Sequence, residues 1–170
     1  AIEYADKMIA KNRNYYSAYE QKVTALLAKG DVDGATKVCD ALDTSENAAG
    51  VASGDYTSYS LRANLYWYTG KYDEAIKVCE EGLEASGGDS DIYRNEAIAY
   101  MLKGDYKKAN ECGKAAYQFS MNYGDLTLDI LNTAALAAGL AKDDETYKSM
   151  QDYLKTYNYE VSSVVTDCLA

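Results

Sequence analysis

The sequence predicts an all-α protein, an α-solenoid of antiparallel helix pairs that stack one on the next. Its 170 residues include no proline, 12 glycines, 18 tyrosines and one phenylalanine. This composition indicates helices separated by glycine turns rather than strands. Three of the glycines, Gly30, Gly70 and Gly104, stand in closely similar phrases, and the last two are 34 residues apart. A fixed period of this length is typical of helical repeat proteins.

The residues before each of these glycines form the first helix of a repeated unit. Apolar or small residues recur there with spacings of four and then three, which place them on one face of a helix. These columns are Tyr19, Val23 and Leu26 in the first unit, Tyr59, Ala63 and Tyr66 in the second, and Tyr93, Ala97 and Tyr100 in the third.

A second helix is predicted after each glycine. It opens with Ala35, Ala75 or Ala109, and apolar or small residues follow four and seven positions later. Small residues in both helices allow a close approach, and the glycine supplies the left-handed backbone conformation that ends the first helix. One such pair is too small to bury its own apolar face, so we expect the pairs to create a core by stacking.

The pattern resembles the tetratricopeptide repeat (TPR), whose unit carries an aromatic residue, a small residue, a tyrosine, a Gly-Asp-Tyr turn and an alanine in this order. The match is specific in residues 56–89 and 90–123 and good in residues 16–49. The resemblance implies a right-handed superhelix of four helix pairs and a leading half-repeat. It also implies a protein–protein interaction scaffold whose first helices line a concave groove for a peptide or protein segment.

The whole chain is interpreted as one solenoid domain with two insertions. The predicted divisions are a second helix of a truncated repeat (1–15), a repeat with a loop insertion (16–55), a regular repeat (56–89), a repeat with an insertion (90–129), a divergent repeat (130–163) and the start of a further helix (164–170). In the divergent repeat, residues 126–141 form the predicted first helix, with Asp144 in the glycine column and Ser149 in the alanine column. Neither end resembles a solubilising cap, so we expect a piece of a longer array with weak self-association through its ends.

Composition argues against several classes of function. The net charge of −10 disfavours a nucleic-acid partner, and without an apolar run of about 18 residues no membrane insertion is expected. The chain has no histidine, which removes Ser–His, Cys–His and histidine–zinc chemistry. Paired carboxylates such as those of residues 143–145 are explained as helix caps. We therefore expect no enzymatic activity, metal or cofactor.

The four cysteines, Cys39, Cys79, Cys112 and Cys168, are widely spaced and form no CxxC pair. Single thiols at helical core positions are typical of small buried hydrophobes. Four free thiols are therefore expected, which favours a reducing compartment such as the cytoplasm.

The helical phase also predicts a binding face on the first helices. Trp67, Tyr68, Arg94 and Met101 are residue types that often anchor protein partners, and an asparagine amide can bind an extended peptide backbone. The predicted binding site comprises Asn64, Trp67, Tyr68, Arg94, Asn95, Ile98 and Met101. The rest of the predicted face comprises Ser17, Glu20, Thr24, Leu27, Thr57, Ser60, Asp91, Leu131, Ala134, Ala138 and Lys142.

Alternatives to peptide binding in the groove stay open. Packing against the next unit explains Trp67 and Tyr68 equally well. A structural or self-association segment of a longer repeat protein would leave the groove without a ligand, and the tyrosines also permit stacking with a carbohydrate or small ligand. The Lys–Asn–Arg clamp by which chaperone-tail-binding TPR proteins hold a terminal carboxylate is absent, since residues such as Glu20 and Asp91 stand at the matching positions.

Overall fold

From residue 56 to residue 160, the chain folds into helices that follow one another with short turns. The computed structural model describes residues 1–12, 15–42, 56–160 and 162–169, and only the backbone of Val164. Within these residues the chain forms ten helices and no strand, which confirms the predicted all-α class. The helices are α1 (Ile2–Lys11), α2 (Tyr16–Ala28), α3 (Val32–Leu42), α4 (Thr57–Tyr68), α5 (Tyr72–Ser86), α6 (Ser90–Lys103), α7 (Tyr106–Tyr123), α8 (Leu128–Leu140), α9 (Asp144–Thr156) and α10 (Ser163–Leu169). The loop insertion predicted around residues 50–55 lies outside the described residues.

The helices pack in a repeating arrangement of two kinds. The first helices α2, α4, α6 and α8 each contact the helix before and the helix after them, and they also contact one another in this order. The second helices α3, α5 and α7 contact only the two first helices on either side, within the part of the chain that is described. The result is a helical repeat-like all-α fold in which the first helices form a continuous layer.

The core follows the columns that the sequence predicts. Val23, Ala63 and Ala97 are all fully buried in the first helices, as are the alanines that open α3, α5 and α7. Buried apolar residues form successive clusters, each shared by neighbouring helix pairs, from α2–α4 at one end to α8–α10 at the other. No helix pair has a core of its own, so each pair depends on its neighbours for burial.

Glycines inside the second helices set how closely these helices approach the first helices, both within a pair and between pairs. A Cβ atom at Gly113 would lie 3.1 Å from the backbone Cα of Ala134 in α8. At Gly82, a Cβ atom would lie 2.8 Å from the Cβ of Tyr59 in α4. Both distances are shorter than ordinary carbon–carbon contacts, so α7 and α8, like α5 and α4, can pack at this distance only because the side chain is missing.

The turn inside each pair has one geometry. Gly30, Gly70 and Gly104 have φ angles of 75°, 78° and 83°, which confirms the left-handed conformation predicted for them. The residue after each glycine donates its N–H to a carbonyl five residues back, as in the 3.0 Å bond from Asp105 to Tyr100. This bond closes the helix end and fixes the direction in which the second helix leaves.

In the last pair, a lysine makes the same turn. Lys142 has a φ of 58°, and the N–H of Asp143 donates to the carbonyl of Ala138 at 2.9 Å. The prediction that Asp144 occupies the glycine column and Ser149 the alanine column is therefore wrong by two residues. A lysine at the turn carries no glycine signal, so the sequence left the phase of this repeat unmarked.

The two versions of the turn predict opposite effects of mutation. Gly104→Ala should lower the free energy of unfolding by about 1 kcal/mol, because a Cβ atom is unfavourable at positive φ. Lys142→Gly should raise it by up to about 1 kcal/mol, less the entropy that glycine adds to the unfolded chain. Chemical denaturation of both variants measures this. A stabilising Gly104→Ala or a strongly destabilising Lys142→Gly would show that the shared geometry does not govern the turn.

Candidate functional site

Three consecutive residues of α6 face three different parts of the molecule. Each residue of an α-helix is rotated by about 100° from the one before, so Arg94, Asn95 and Glu96 diverge. Arg94 lines a cavity beside α8, Asn95 bonds to residues of α4, and Glu96 accepts a hydrogen bond from Cys112 of α7. One side of α6 therefore faces this cavity, and its other two sides pack against α4 and α7.

The cavity beside Arg94 is the candidate functional site. It has a volume of about 500 Å³ and lies between α6, α8 and α10. Its lining is mainly apolar, with a few polar groups, which is typical of ligand sites of this size. The lining residues are Arg94, Ile98, Met101, Leu102, Tyr106, Asp129, Asn132, Thr133, Leu136, Leu140, Ser162, Val165 and Cys168. We call this space the groove cavity.

Two other cavities suit a ligand less well. A surface depression of about 660 Å³ lies at the turn ends of two helix pairs, where Lys103, Lys107 and Lys142 surround polar backbone. A smaller space of about 290 Å³ lies between α8 and α9, where Tyr153 and Tyr157 contribute to its lining. Of these three cavities, only the groove cavity is lined by residues of the predicted binding site, namely Arg94, Ile98 and Met101.

The structure brings part of the predicted site together. Arg94, Ile98 and Met101 share the groove cavity. Asn64, Trp67 and Tyr68 belong to the neighbouring helix α4 and lie outside its lining. The predicted site is thus divided between a cavity beside α6 and an adjoining surface on α4.

Asn95 does not face the groove. It is only 2% exposed. Its Nδ2 donates to Ser60 Oγ at 2.7 Å and to the carbonyl of Asp91 at 3.0 Å, and its Oδ1 accepts from Trp67 Nε1 at 3.1 Å. The expectation that Asn95 binds a peptide backbone is corrected, because the amide is already satisfied inside the protein. Ser60 is buried with it.

Trp67 and Tyr68 have structural roles in addition to their partial exposure. The Trp67 indole packs at the edge of the apolar cluster that includes Tyr100 and Ala137, beside Met101. The Tyr68 hydroxyl donates to the carbonyl of Leu27 at 2.7 Å, while 46% of the residue stays exposed. The packing interpretation therefore accounts for one part of each side chain, and the remainder is exposed on α4.

The groove residues predicted on α8 are corrected by the two-residue shift of the last repeat. Leu131, Ala134 and Ala138 are all within the core, with exposed fractions of 4%, 1% and 0%. The α8 residues that line the groove cavity instead are Asp129, Asn132, Thr133, Leu136 and Leu140. Thr127, the N-cap of α8, aligns with Asp89, the N-cap of α6. An alignment of these two capping residues could have placed the last repeat correctly against the others.

Helix α10 forms one wall of the groove cavity. The backbone N–H of Ser162 donates to Asn132 Oδ1 at 3.1 Å. The Leu169 side chain occupies the space that a Cβ atom at Gly139 would need. Since the sequence predicts only the start of a helix at 164–170, its contribution of Ser162, Val165 and Cys168 to the site was missed.

The polar groups of the site are unevenly distributed. Arg94 is half-buried, and its Nε is buried without a hydrogen-bond partner among the described residues. Burial raises the pKa of Asp91 above its usual value; Arg94 opposes this, while the nearby carboxylates of Asp89, Asp125 and Asp129 add to it. The N-terminal ends of α6 and α8 therefore carry four carboxylates near one guanidinium.

A second buried polar group lies on the opposite side of α6. The Cys112 thiol donates to Glu96 Oε2 at 3.3 Å, and Glu96 is itself buried. Burial is the main cause that raises the pKa of Glu96, and it also raises the pKa of the Cys79 and Cys112 thiols, with further contributions from Glu96. All four cysteines are free. Thiols held in the protonated form are poor nucleophiles.

Among the residues that the structure describes, no group of three or more cysteine, aspartate or glutamate side chains is arranged to hold a metal ion. None of the described helices has both the length and the apolar character needed to cross a membrane.

Comparison with known proteins adds no relative. No protein-family model matches the chain, and no curated protein matches it.

The Asn95 network predicts a large effect of a small change. Asn95→Ala should lower the free energy of unfolding by roughly 2–3 kcal/mol, because the Trp67 indole N–H loses its acceptor and stays partly buried. It should also change the fluorescence of Trp67, the only tryptophan. The control is Asn64→Ala, on the same face of α4 as Trp67, which should lower the free energy of unfolding by about 0.5 kcal/mol or less. Equal effects in the two variants would contradict a structural role of Asn95.

Glu96 predicts a pH dependence of stability. Its pKa is raised in the folded state, so folding favours the protonated form, and this contribution is present below the unfolded pKa. It is lost as the pH rises from about 4.5 through the folded pKa. Glu96→Gln should therefore unfold at higher denaturant than wild type at pH 7 and show less loss of stability between pH 4.5 and 7. A variant with the wild-type pH profile would show that Glu96 does not titrate in this window.

Proposed function

We propose that this chain is a TPR-type solenoid, a right-handed superhelix of stacked helix pairs, and that it is a non-enzymatic scaffold that binds a peptide or protein segment along its first helices. The repeated turn at Gly30, Gly70 and Gly104 and the continuous layer of first helices support the architecture. The groove cavity is the observation that carries the function, because it joins an apolar lining to the half-buried guanidinium of Arg94 on that layer.

The size and position of the cavity favour a segment of polypeptide as the ligand. Sites of about 300–1,000 Å³ typically hold a small molecule or a few side chains, and the groove cavity is within this range. On the neighbouring helix α4, Trp67 packs against the same apolar cluster as the lining residue Met101, and Tyr68, which is 46% exposed, offers a further contact surface. Aromatic residues and arginine are the side chains most often found at the energetic centres of protein interfaces.

One observation favours a second proposal, a structural segment that associates with further helix pairs. The cavity between α8 and α9 is lined by Leu128, Tyr153, Tyr157 and Tyr159. Tyr157 is 58% exposed and Tyr159 is 51% exposed. Such a surface suits another helix pair, and Tyr157→Glu should then reduce concentration-dependent association in sedimentation velocity while leaving the groove cavity unchanged.

A bulky residue in the groove cavity tests the binding proposal. Thr133→Trp places an indole among the lining residues, whereas Gln118→Trp adds the same side chain on the exposed surface of α7. Immobilised wild-type protein is used to select from a displayed library of random peptides, and the recovered peptides are measured on both variants. We expect affinity to fall at least tenfold with Thr133→Trp and to be retained with Gln118→Trp.

Thermal unfolding of both variants checks that the fold is intact. Recovered peptides that bind Thr133→Trp and Gln118→Trp equally would place the binding surface elsewhere and contradict the proposal. A library from which wild-type protein recovers no peptide above background would contradict it as well.

A further inference from the structure

We propose that the groove cavity selects a partner segment in which an apolar side chain stands next to a lysine or arginine. This inference rests on the proposed function and adds the chemistry of the partner. Three features carry it: the apolar lining, the carboxylates of Asp129 in the lining and Asp91 near it, and the half-buried guanidinium of Arg94.

The apolar part of the cavity determines the first requirement. Ile98 and Met101 on α6 are half-buried and face Leu136 on α8 across the space, and Val165 of α10 closes it on a third side. Removing apolar surface of such a recess from water is favourable in proportion to the area that a ligand covers. An aliphatic or aromatic side chain is therefore the group that gains most by entering.

The carboxylates determine the second requirement. Asp129 lines the cavity, and the carboxylate of Asp91 interacts electrostatically with those of Asp89, Asp125 and Asp129. Asp89 caps α6 and Asp125 accepts a hydrogen bond from the Ser90 hydroxyl at 2.9 Å. Asp91, Asp125 and Asp129 are exposed, and Asp89 is half-buried. The negative charges of these neighbouring carboxylates repel each other, and a cationic side chain of a partner would reduce the repulsion.

Arg94 determines how the segment is held. Its guanidinium group is half-buried and lines the cavity, and guanidinium N–H groups are donors only. A carboxylate of the partner could accept from them but would add a fifth negative charge beside the existing four. A main-chain carbonyl of the partner accepts without adding any charge, so the carbonyl is the group that fits.

The charge of the whole chain acts in the same direction. With a net charge of −10, the protein attracts cations and repels anions before contact, an effect that weakens as salt is added. A basic and apolar segment is favoured both at long range and at the cavity itself.

A positional-scanning library of acetylated and amidated nonapeptides tests the inference. Its binding is measured on wild-type protein, on the double variant Asp91→Asn/Asp129→Asn and on the control Asp144→Asn/Glu145→Gln. The control makes the same change of net charge in the first turn of α9, away from the lining. We expect wild-type protein and the control to enrich lysine or arginine beside an apolar residue. The Asp91/Asp129 variant should lose at least tenfold in affinity for the enriched peptides.

Salt and the Thr133→Trp variant separate the two levels of proposal. Affinity for the enriched peptides should fall between 0.05 and 0.5 M NaCl because charge pairing is screened at these concentrations, about an order of magnitude apart. Binding that Thr133→Trp abolishes, but that prefers acidic or uncharged peptides, would overturn this inference and leave groove binding in place. Binding unaffected by Thr133→Trp would overturn both.

Discussion

The close approach of successive helices is the constraint on which the rest of this structure depends. Where α7 meets α8, a single carbon atom added at Gly113 would press on the backbone of Ala134. The positions that correspond to Gly113 in α3 and α5 hold Cys39 and Cys79, which are both buried. Because no pair can bury its apolar surface alone, stability requires these short distances to be kept along the whole chain. The first helices are thereby held side by side, and the spaces between them become the places where a partner can be recognised.

Polar contacts then determine how each first helix is rotated in that layer. Asn95 joins α6 to α4 through Ser60 and Trp67, and with this side of α6 fixed, Arg94 is directed toward α8 and Glu96 toward α7. One predicted binding residue and two interior residues thus share one helical turn. The orientation of Arg94 therefore depends on the packing of α6. A substitution at Asn95 would change the position of Arg94 in the groove cavity, although Asn95 does not line it.

The sequence was sufficient for most of the fold and for about half of the candidate site. Glycine and alanine columns mark helix ends and contacts directly, since few other residues meet those steric requirements. The last turn could not be recognised from the sequence, because Lys142 and not a glycine adopts the positive φ there. The repeat was therefore assigned two residues too late, and core residues of α8 were predicted to face the groove. The burial of Asn95 could not be read from its own helix, because its partners come from α4, and a groove asparagine and an interhelical one have the same spacing.

The bond between Trp67 and Asn95 also limits how the chain could have evolved. Its two ends lie in different repeats, 28 residues apart, and the positions that correspond to Trp67 in the neighbouring repeats hold Leu27 and Met101. The pair therefore occurs at one junction of the array. Duplication, loss or exchange of a whole repeat at that junction would leave a buried amide or indole without its partner. The repeats look interchangeable in their glycines and alanines, yet the bonds of Asn95 to Trp67 and Ser60 distinguish the junction between α4 and α6 from the others.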